Sequence, residues 1–399
     1  MTKMQTLEAG ILRRLARLPF ADRSKLLSWY RPWEISNGSP LAEGRGRTII
    51  RESYRAHYPL PRNVQAGEEL PGLAPPWVRS FSFKDVPQLK VDESFLMEFE
   101  DCWMVRKRYD WGGSEFCICT SDGRPLQFHG LNSDVDNFAL RRAQLRAPSS
   151  PHQTLDQATW VVGYWYNNIY HWFVEWLPRL VLALDRGLPA ENIVLPPLLG
   201  QWAWDSMKLL GIKPHWLDEK CDVWRIGRLT VVSESPHHAP AHRAVQQRLI
   251  SDLNLVAGPK KRIWISRRDA VHRRLHQEAE IEAWLSARDW HIVQMEKLSF
   301  SEQVRTMAGA QAVAGMHGAG FTNLLFAPPQ TPVLEIVVRE RPCPEYYALA
   351  SCLGHPYWFV PAQTEGRNPS LVHDDANVDI EDVKRAVIDL EQYLGKASA

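Results

Sequence analysis

The spacing of apolar residues changes character along the chain, and each change marks a unit. Leu7, Ile11, Leu12, Leu15 and Leu18 recur at helical spacing among Arg13, Arg14, Arg17, Arg23 and Lys25, which predicts an amphipathic helix over residues 1 to about 30. Residues 35–90 are rich in Pro, Gly and Arg without a sustained period, the pattern of irregular chain wrapped round a body. Phe95–Met104 and Glu115–Thr120 read as strands, followed by the turn signal Ser121-Asp122-Gly123-Arg124. From Thr159 the pattern becomes strand, helix, strand. Thr159–Tyr164 is an apolar strand, and a helix runs from Ile169 to about Leu184 with Ile169, Phe173, Leu177, Leu180, Val181 and Leu184 on one stripe. Strands at Ile193–Leu195 and Leu229–Val232 follow, and Asn254, Gly258 and Pro259 mark a boundary.

The last third alternates most clearly. Strands are predicted at Arg262–Ser266, Trp290–Met295, Ala312–Met316 and Val333–Val338, with helices at Glu278–Ala287, Phe300–Gly309 and Ala319–Phe326 between them. Ser299 and Glu302 form a capping box ahead of the second helix. Strands alternating with helices of this length imply a doubly wound, parallel α/β sheet. The expected units are a helical and irregular region (1–90), an α/β domain with a small β unit (91–256), a Rossmann-like domain (257–378) and a last helix (379–399) free to cross back.

Composition narrows the function. At 399 residues the chain is long enough for two or three cores, and 45% hydrophobic with 23% charged residues is ordinary for a soluble globular protein. Lys plus Arg number 47 against 46 Asp plus Glu, which excludes the basic excess of a dedicated nucleic-acid binder. Cys102, Cys117, Cys119, Cys221, Cys343 and Cys352 include no CxxC pair and no zinc-ligand spacing, and are expected to be reduced thiols in a cytosolic protein. Arginines interrupt the first hydrophobic stretch, so no signal peptide is expected, and Gln157–Val174 is too polar to span a bilayer. The basic N-terminal helix has two readings, packing on its own domain or peripheral contact with an anionic membrane. The count of 17 Trp is high, and tryptophan serves cores, sugar-stacking surfaces and membrane interfaces alike.

Ligands of open parallel sheets bind beyond the carboxyl ends of the strands. In the last third that rule selects Arg267 and Arg268, whose guanidinium groups suit a phosphate, and His317-Gly318-Ala319-Gly320, where small residues open a helix at its positive end. It also selects Glu335, suited to ribose hydroxyls. Upstream, His171 and Glu175 stand four apart on the helix face opposite its apolar stripe, the spacing of a proton-accepting pair, and Arg179 extends that face. Each feature has a plainer reading as a solvated turn, a tight packing turn or a hydrated helix face. Asp134-Val135-Asp136 has the Asp-x-Asp form of a metal-diphosphate ligand but reads as a surface loop. His317-Gly-Ala-Gly is similar to a lipase oxyanion-hole motif, yet the chain has no G-x-S-x-G elbow, and the hydrolase reading falls.

Taken together, Ile265-Ser266-Arg267-Arg268, Glu278, Leu298-Ser299-Phe300-Ser301-Glu302-Gln303, His317-Gly318-Ala319-Gly320 with Asn323, and Val333-Leu334-Glu335-Ile336 resemble glycosyltransferase family 61. Asn168-Ile169-Tyr170-His171-Trp172 with Leu177-Pro178-Arg179-Leu180 is similar to the same family's upstream motif. The resemblance covers roughly residues 160–340, and Gln277 stands where the family commonly has Asn. It is to the capsule and surface-polysaccharide type, related to β-xylosyl- and N-acetylglucosaminyltransferases. The resemblance implies a GT-B architecture, with two Rossmann-like domains facing a cleft, and an inverting reaction with no cofactor and no metal. By position, Arg267 would neutralise the donor diphosphate, with Arg268 beside it as a further donor-binding candidate from the strand-end reading; His317 to Gly320 would cradle it, Asn323 would support the turn or the donor, and Glu335 would bind ribose.

The expected partners are a nucleotide sugar, UDP-linked by preference, and an oligosaccharide or glycolipid acceptor. The expected base is His171 or Glu175, with His317 as the alternative. Asn168, Trp172 and Arg179 are expected on the acceptor side. Trp160, Trp165, Trp172 and Trp176 are expected to wall an acceptor cleft, with Trp264, Trp284 and Trp290 in the core. The expected location is cytoplasmic, peripheral at the inner membrane. The rival readings are a sugar- or nucleotide-binding module without catalysis and a structural member of a polysaccharide assembly complex.

Overall fold

The computed structural model describes residues 45–64, 86–108, 114–121, 151–163, 165–197, 199–236, 238–252, 260–339, 343–364 and 374–398. The helix expected near the N-terminus, the Asp134–Asp136 segment and the 254–259 boundary lie outside them. The first strands are β1 (Arg45–Arg51), β2 (Tyr54–Tyr58), β3 (Val86–Val91), β4 (Ser94–Arg108), β5 (Ser114–Thr120) and β6 (Gln153–Trp160). Strands β1 to β3 correct the expectation of irregular chain over 35–90. Strand β1 is an edge strand with one long partner, β4, and β2 and β3 form a separate two-stranded sheet, so none of the three has the apolar period of a central strand.

Helix α1 comprises Ile169–His171, a π-helical turn Trp172–Trp176 and Leu177–Asp185. There follow β7 (Ile193–Leu195), α2 (Gln201–Leu209), β8 (His215–Trp216), β9 (Val223–Ser233) and α3 (Ala239–Asp252). The first sheet has the order β1-β4-β9-β6-β7-β8, with β5 beside β4. Only β9, β6, β7 and β8 run parallel; β1, β5 and β9 each pair antiparallel with β4. This sheet is therefore mixed, not the parallel sheet of a Rossmann domain, because consecutive β4 and β5 pair with each other directly and not through a crossover helix.

The second sheet is built from β10 (Lys261–Ile265), α4 (Glu278–Ser286), β11 (Trp290–Val293), α5 (Phe300–Ala308), β12 (Ala310–Met316), a 3-10 helix (Ala319–Phe326), β13 (Val333–Val338), α6 (Glu345–Leu353), β14 (Tyr357–Thr364), β15 (Ala376–Asn377) and α7 (Ile380–Ser398). Its order is β11-β10-β12-β13-β14-β15, parallel throughout except for β15. Alternate residues separate into two cores, as the period of a strand requires. Trp264, Ala314, Leu334, Ile336 and Trp358 face α4 and α7. Ile263, Ile265, Val313, Val333, Val337 and Phe359 face the other way, into a core continuous with that of the first sheet. Helix α7 thus packs on the outer face of its own sheet, against β13 and β14. Its polar face stays wet while Val383, Val387 and Leu390 are buried.

Helix α1 lies where the two sheets share their core. Trp172 to Leu182 are buried without interruption, so the hydrated face expected for Glu175 and Arg179 does not exist. A helix flanked by two layers is covered all round. Phe173 stacks on Phe300 from the second unit (centroids 5.0 Å, 19° between planes) and meets Phe326 edge-on. Asn63 pairs with the free edge of β14: its amide donates to Phe359 O (2.6 Å) and accepts from Phe359 N (3.0 Å). Among the described residues no helix is long and apolar enough to cross a membrane.

A shared core predicts shared unfolding. Phe173→Ala should cost about 3–5 kcal/mol. Denaturant unfolding followed by Trp fluorescence and by circular dichroism should still show one coincident transition; two separated transitions would mean the sheets are stabilised independently.

Candidate active site

Beyond the carboxyl end of β10, the backbone N–H of Arg267 donates to Glu278 Oε1 (2.7 Å) at the start of α4. The Arg267 guanidinium is then held by two carbonyls, His272 O (2.9 Å) and Arg273 O (3.2 Å). Burial holds its pKa below the usual arginine value, and the nearby Arg273 cation acts in the same direction. Glu278 is shifted up by burial, against the opposing bond from Arg267 N. Arg268 turns aside, onto the buried carboxylate of Glu282, and is the weaker donor candidate. Gln277 bridges outward instead, donating to Asn377 Oδ1 and accepting from Val378 N (both 3.1 Å), so here it anchors β15.

His317 follows β12. Its Nδ1 lies 2.5 Å from Glu335 Oε1, and Tyr357 donates its hydroxyl to Glu335 Oε2, also at 2.5 Å. Glu335 has no exposed surface, so both oxygens are spent inside the protein and the ribose role does not hold. The carboxylate serves the imidazole. Burial alone would lower the pKa of His317, but bonds to Cys343 and Glu335 and the Glu335 charge outweigh it and raise it to about 9.

The small residues of the turn are required by space. A Cβ at Gly318 would collide with the Arg267 guanidinium, and one at Gly320 would stand 2.7 Å from Ile265 Cγ2. Ala319 opens the 3-10 helix at the surface. Asn323 is buried and donates to Gln303 Oε1 (3.0 Å) and Gly320 O (3.2 Å), which braces the turn. Arg267, Arg273 and the His317 imidazolium thus gather positive charge round the turn, with the Arg267 guanidinium packed directly on Gly318.

In α1, His171 Nδ1 lies 2.8 Å from Glu175 Oε1. Glu175 is buried, and its Oε2 has no hydrogen-bond partner among the described residues. Asn168 caps the helix, accepting from Tyr170 N (2.9 Å). Two tyrosines connect this pair to the other one. The Tyr170 ring meets His171 (5.5 Å) and Tyr346 (5.6 Å) edge-on, and Tyr346 packs 5.0 Å from the His317 ring. The structure therefore brings two imidazole–carboxylate pairs to one place, from the two sheets.

The acceptor wall of tryptophans is corrected. Trp160, Trp172 and Trp176 are fully buried, and Trp172 Nε1 donates to Ser206 Oγ (3.0 Å), so no sugar reaches them. Trp165 alone of the four is exposed, at 56%. Arg179 is core as well: it lies 4.7 Å over the Trp176 ring and donates to Glu234 O (3.1 Å). Sequence reasoning also missed Arg273, Tyr346 and Tyr357. The second arginine pair, Arg273-Arg274, was the available signal for the first, whereas nothing local distinguishes the tyrosines from core residues.

These elements coincide with a known family region. Residues 169–334 match the family Glycosyltransferase 61. Two curated relatives are similar over shorter stretches. The EGF domain-specific O-linked N-acetylglucosamine transferase of Drosophila melanogaster is 36% identical over 120 residues, covering 28% of this chain and 23% of the relative. The protein of the same name from Gallus gallus is 32% identical over 151 residues, covering 34% and 28% respectively. The matched stretch spans about a quarter of the length of these relatives. The Glycosyltransferase 61 region holds His171, Glu175, Arg267, Arg273 and the His317–Gly320 turn, and ends one residue before Glu335.

Two outcomes follow from this geometry. A histidine whose pKa rises from about 6.5 unfolded to about 9 folded stabilises the protein fully below the first value and loses that contribution as pH rises through the second. The stability gap between wild type and His317→Gln should therefore shrink between pH 7 and pH 10 in urea titrations; a constant gap would place the charge elsewhere. Arg179→Ala should cost about 3 kcal/mol, since it strips the buried Glu234 carbonyl of its charged donor and removes a second cation, beside Arg51, from the neighbourhood of the Glu234 carboxylate. A variant with altered kinetics but unchanged urea midpoint would restore Arg179 to the acceptor side.

Proposed function

We propose that the protein is an inverting glycosyltransferase of GT-B type that moves a sugar from a nucleoside-diphosphate donor to a glycan hydroxyl. The observation that carries this reading is the meeting of two unlike sites. One is a cluster of cations, Arg267, Arg273 and His317, round the glycine turn at Gly318; the other is a histidine backed by a buried carboxylate, His171 with Glu175. The acceptor oxygen attacks the anomeric carbon as its bond to the diphosphate breaks. The hydroxyl proton passes to His171 Nε2, and Glu175 holds the Nδ1 proton and balances the ring's new charge. The bonding electrons leave with the diphosphate, whose charge is met by the side-chain cations and the N–H groups of the turn, without a metal in the transfer step.

The names of the two relatives support N-acetylglucosamine as the first sugar to try, and the family resemblance supports UDP as its carrier. The family resemblance supports surface-polysaccharide synthesis as the setting, with an oligosaccharide or glycolipid acceptor at the cytoplasmic face of the membrane.

Incubation with a panel of nucleotide sugars, followed by detection of released nucleoside diphosphate, tests the reading. One donor should be slowly hydrolysed without acceptor. His171→Ala and Glu175→Gln should lower kcat about 10²- to 10⁴-fold while donor Kd moves little. Arg267→Ala should raise donor Kd. Binding of a donor with no turnover in any condition would favour a non-catalytic module instead.

A further inference from the structure

Two side chains beside the turn, Cys343 and Glu345, have no part in the transfer reaction and stand next to one that does, His317. The three each offer a ligand atom, and these atoms all lie within 4.8 Å of one another. We propose that they form a binding site for a soft divalent cation, zinc by chemistry: thiolate from Cys343, imidazole Nε2 from His317 and carboxylate from Glu345.

Three independent features support the assignment. The donor set is mixed sulfur, nitrogen and oxygen, which selects zinc over magnesium or calcium. Glu335 already occupies His317 Nδ1, which leaves Nε2 toward Cys343; a metal-bound histidine usually has such a carboxylate on its far nitrogen. Glu345 Oε2 is buried and has no hydrogen-bond partner among the described residues, an uncompensated polar atom that a cation would satisfy.

The distances are compatible. Tetrahedral zinc with bonds of about 2.0–2.3 Å sets its ligand atoms about 3.3–3.7 Å apart. Closing the set from within 4.8 Å asks for about 1 Å of side-chain rotation, well inside rotamer freedom. Three protein ligands leave the fourth position to water. Sequence spacing does not reveal the set, because Cys343 and Glu345 reach His317 only through the parallel pairing of β12 with β13.

The consequence for catalysis rests on the transferase reading: zinc would take the His317 imidazole from the donor, so zinc and donor would compete. Binding itself is independent of that reading and is measured without donor. The 399-residue chain is titrated with zinc chloride against a chromophoric chelator, and with cobalt chloride under near-ultraviolet absorption. One equivalent should bind, and cobalt should produce a thiolate-to-metal charge-transfer band. Cys343→Ser should abolish the band and weaken zinc binding at least tenfold, Glu345→Gln should weaken it with the band retained, and Cys221→Ser should change neither. Circular dichroism of each variant reports folding. Failure of the folded wild type to compete with the chelator overturns the proposal, as does a band that survives in Cys343→Ser; if that variant is unfolded, unchanged zinc affinity in Glu345→Gln overturns it.

Discussion

A carboxylate with no exposed surface sits in the middle of a parallel sheet at Glu335, and the candidate site depends on how that burial is made tolerable. An unpaired charge in such a place would cost several kcal/mol. His317, just past the end of β12, and Tyr357, on β14, each satisfy one oxygen. This requires β12, β13 and β14 to hold one register, with Gly315 opposite Glu335 and Glu335 opposite Phe359. A slip of one residue would turn the carboxylate to the other face, among Trp264, Leu334 and Trp358. Sheet register, the charge on His317 and the position of the glycine turn are one constraint seen three ways.

The second constraint is the burial of α1. Because the helix is covered by β9 and α3 on one side and by the 3-10 helix and Phe300 on the other, the Glu175 carboxylate is buried, and its interaction with the partly exposed His171 is screened less than it would be at the surface. The π-helical turn Trp172–Trp176 lies within it, directly after His171, and such turns recur at functional sites. Tyr170 and Tyr346 fill the space between the two histidines with rings that carry no charge, so the cationic half and the basic half remain chemically distinct.

Much of this was legible in the sequence where a pattern is local. The alternation after Arg262, the capping box of Ser299 and Glu302, and the glycines after Met316 depend on neighbours a few residues away, and the structure realises each. The His171–Glu175 pair was legible for the same reason. What failed was burial. A 3.6-residue stripe identifies one apolar face but cannot say that a second layer covers the opposite one, so Glu175, Arg179 and three tryptophans were assigned to water or to sugar when they belong to the core. Glu335 was misread likewise: its strand was correctly placed, but its partners, His317 and Tyr357, are 18 and 22 residues distant and become neighbours only through the sheet. The strands before residue 91 were missed because they are short edge elements with little apolar pattern to detect.

The segment ending at Asn63 has a role of a different kind. Strand β14 meets β15 only at Gln363 and Thr364, so most of its outer edge would present bare backbone groups. Arg62 N–H donates to Tyr357 O (2.8 Å), and the Asn63 amide imitates a strand residue at Phe359. An edge covered this way cannot recruit a strand from another molecule. A chain truncated before β4 would keep both histidine pairs intact in sequence, yet its first fault would be self-association along β14, a solubility failure arising far from the chemistry.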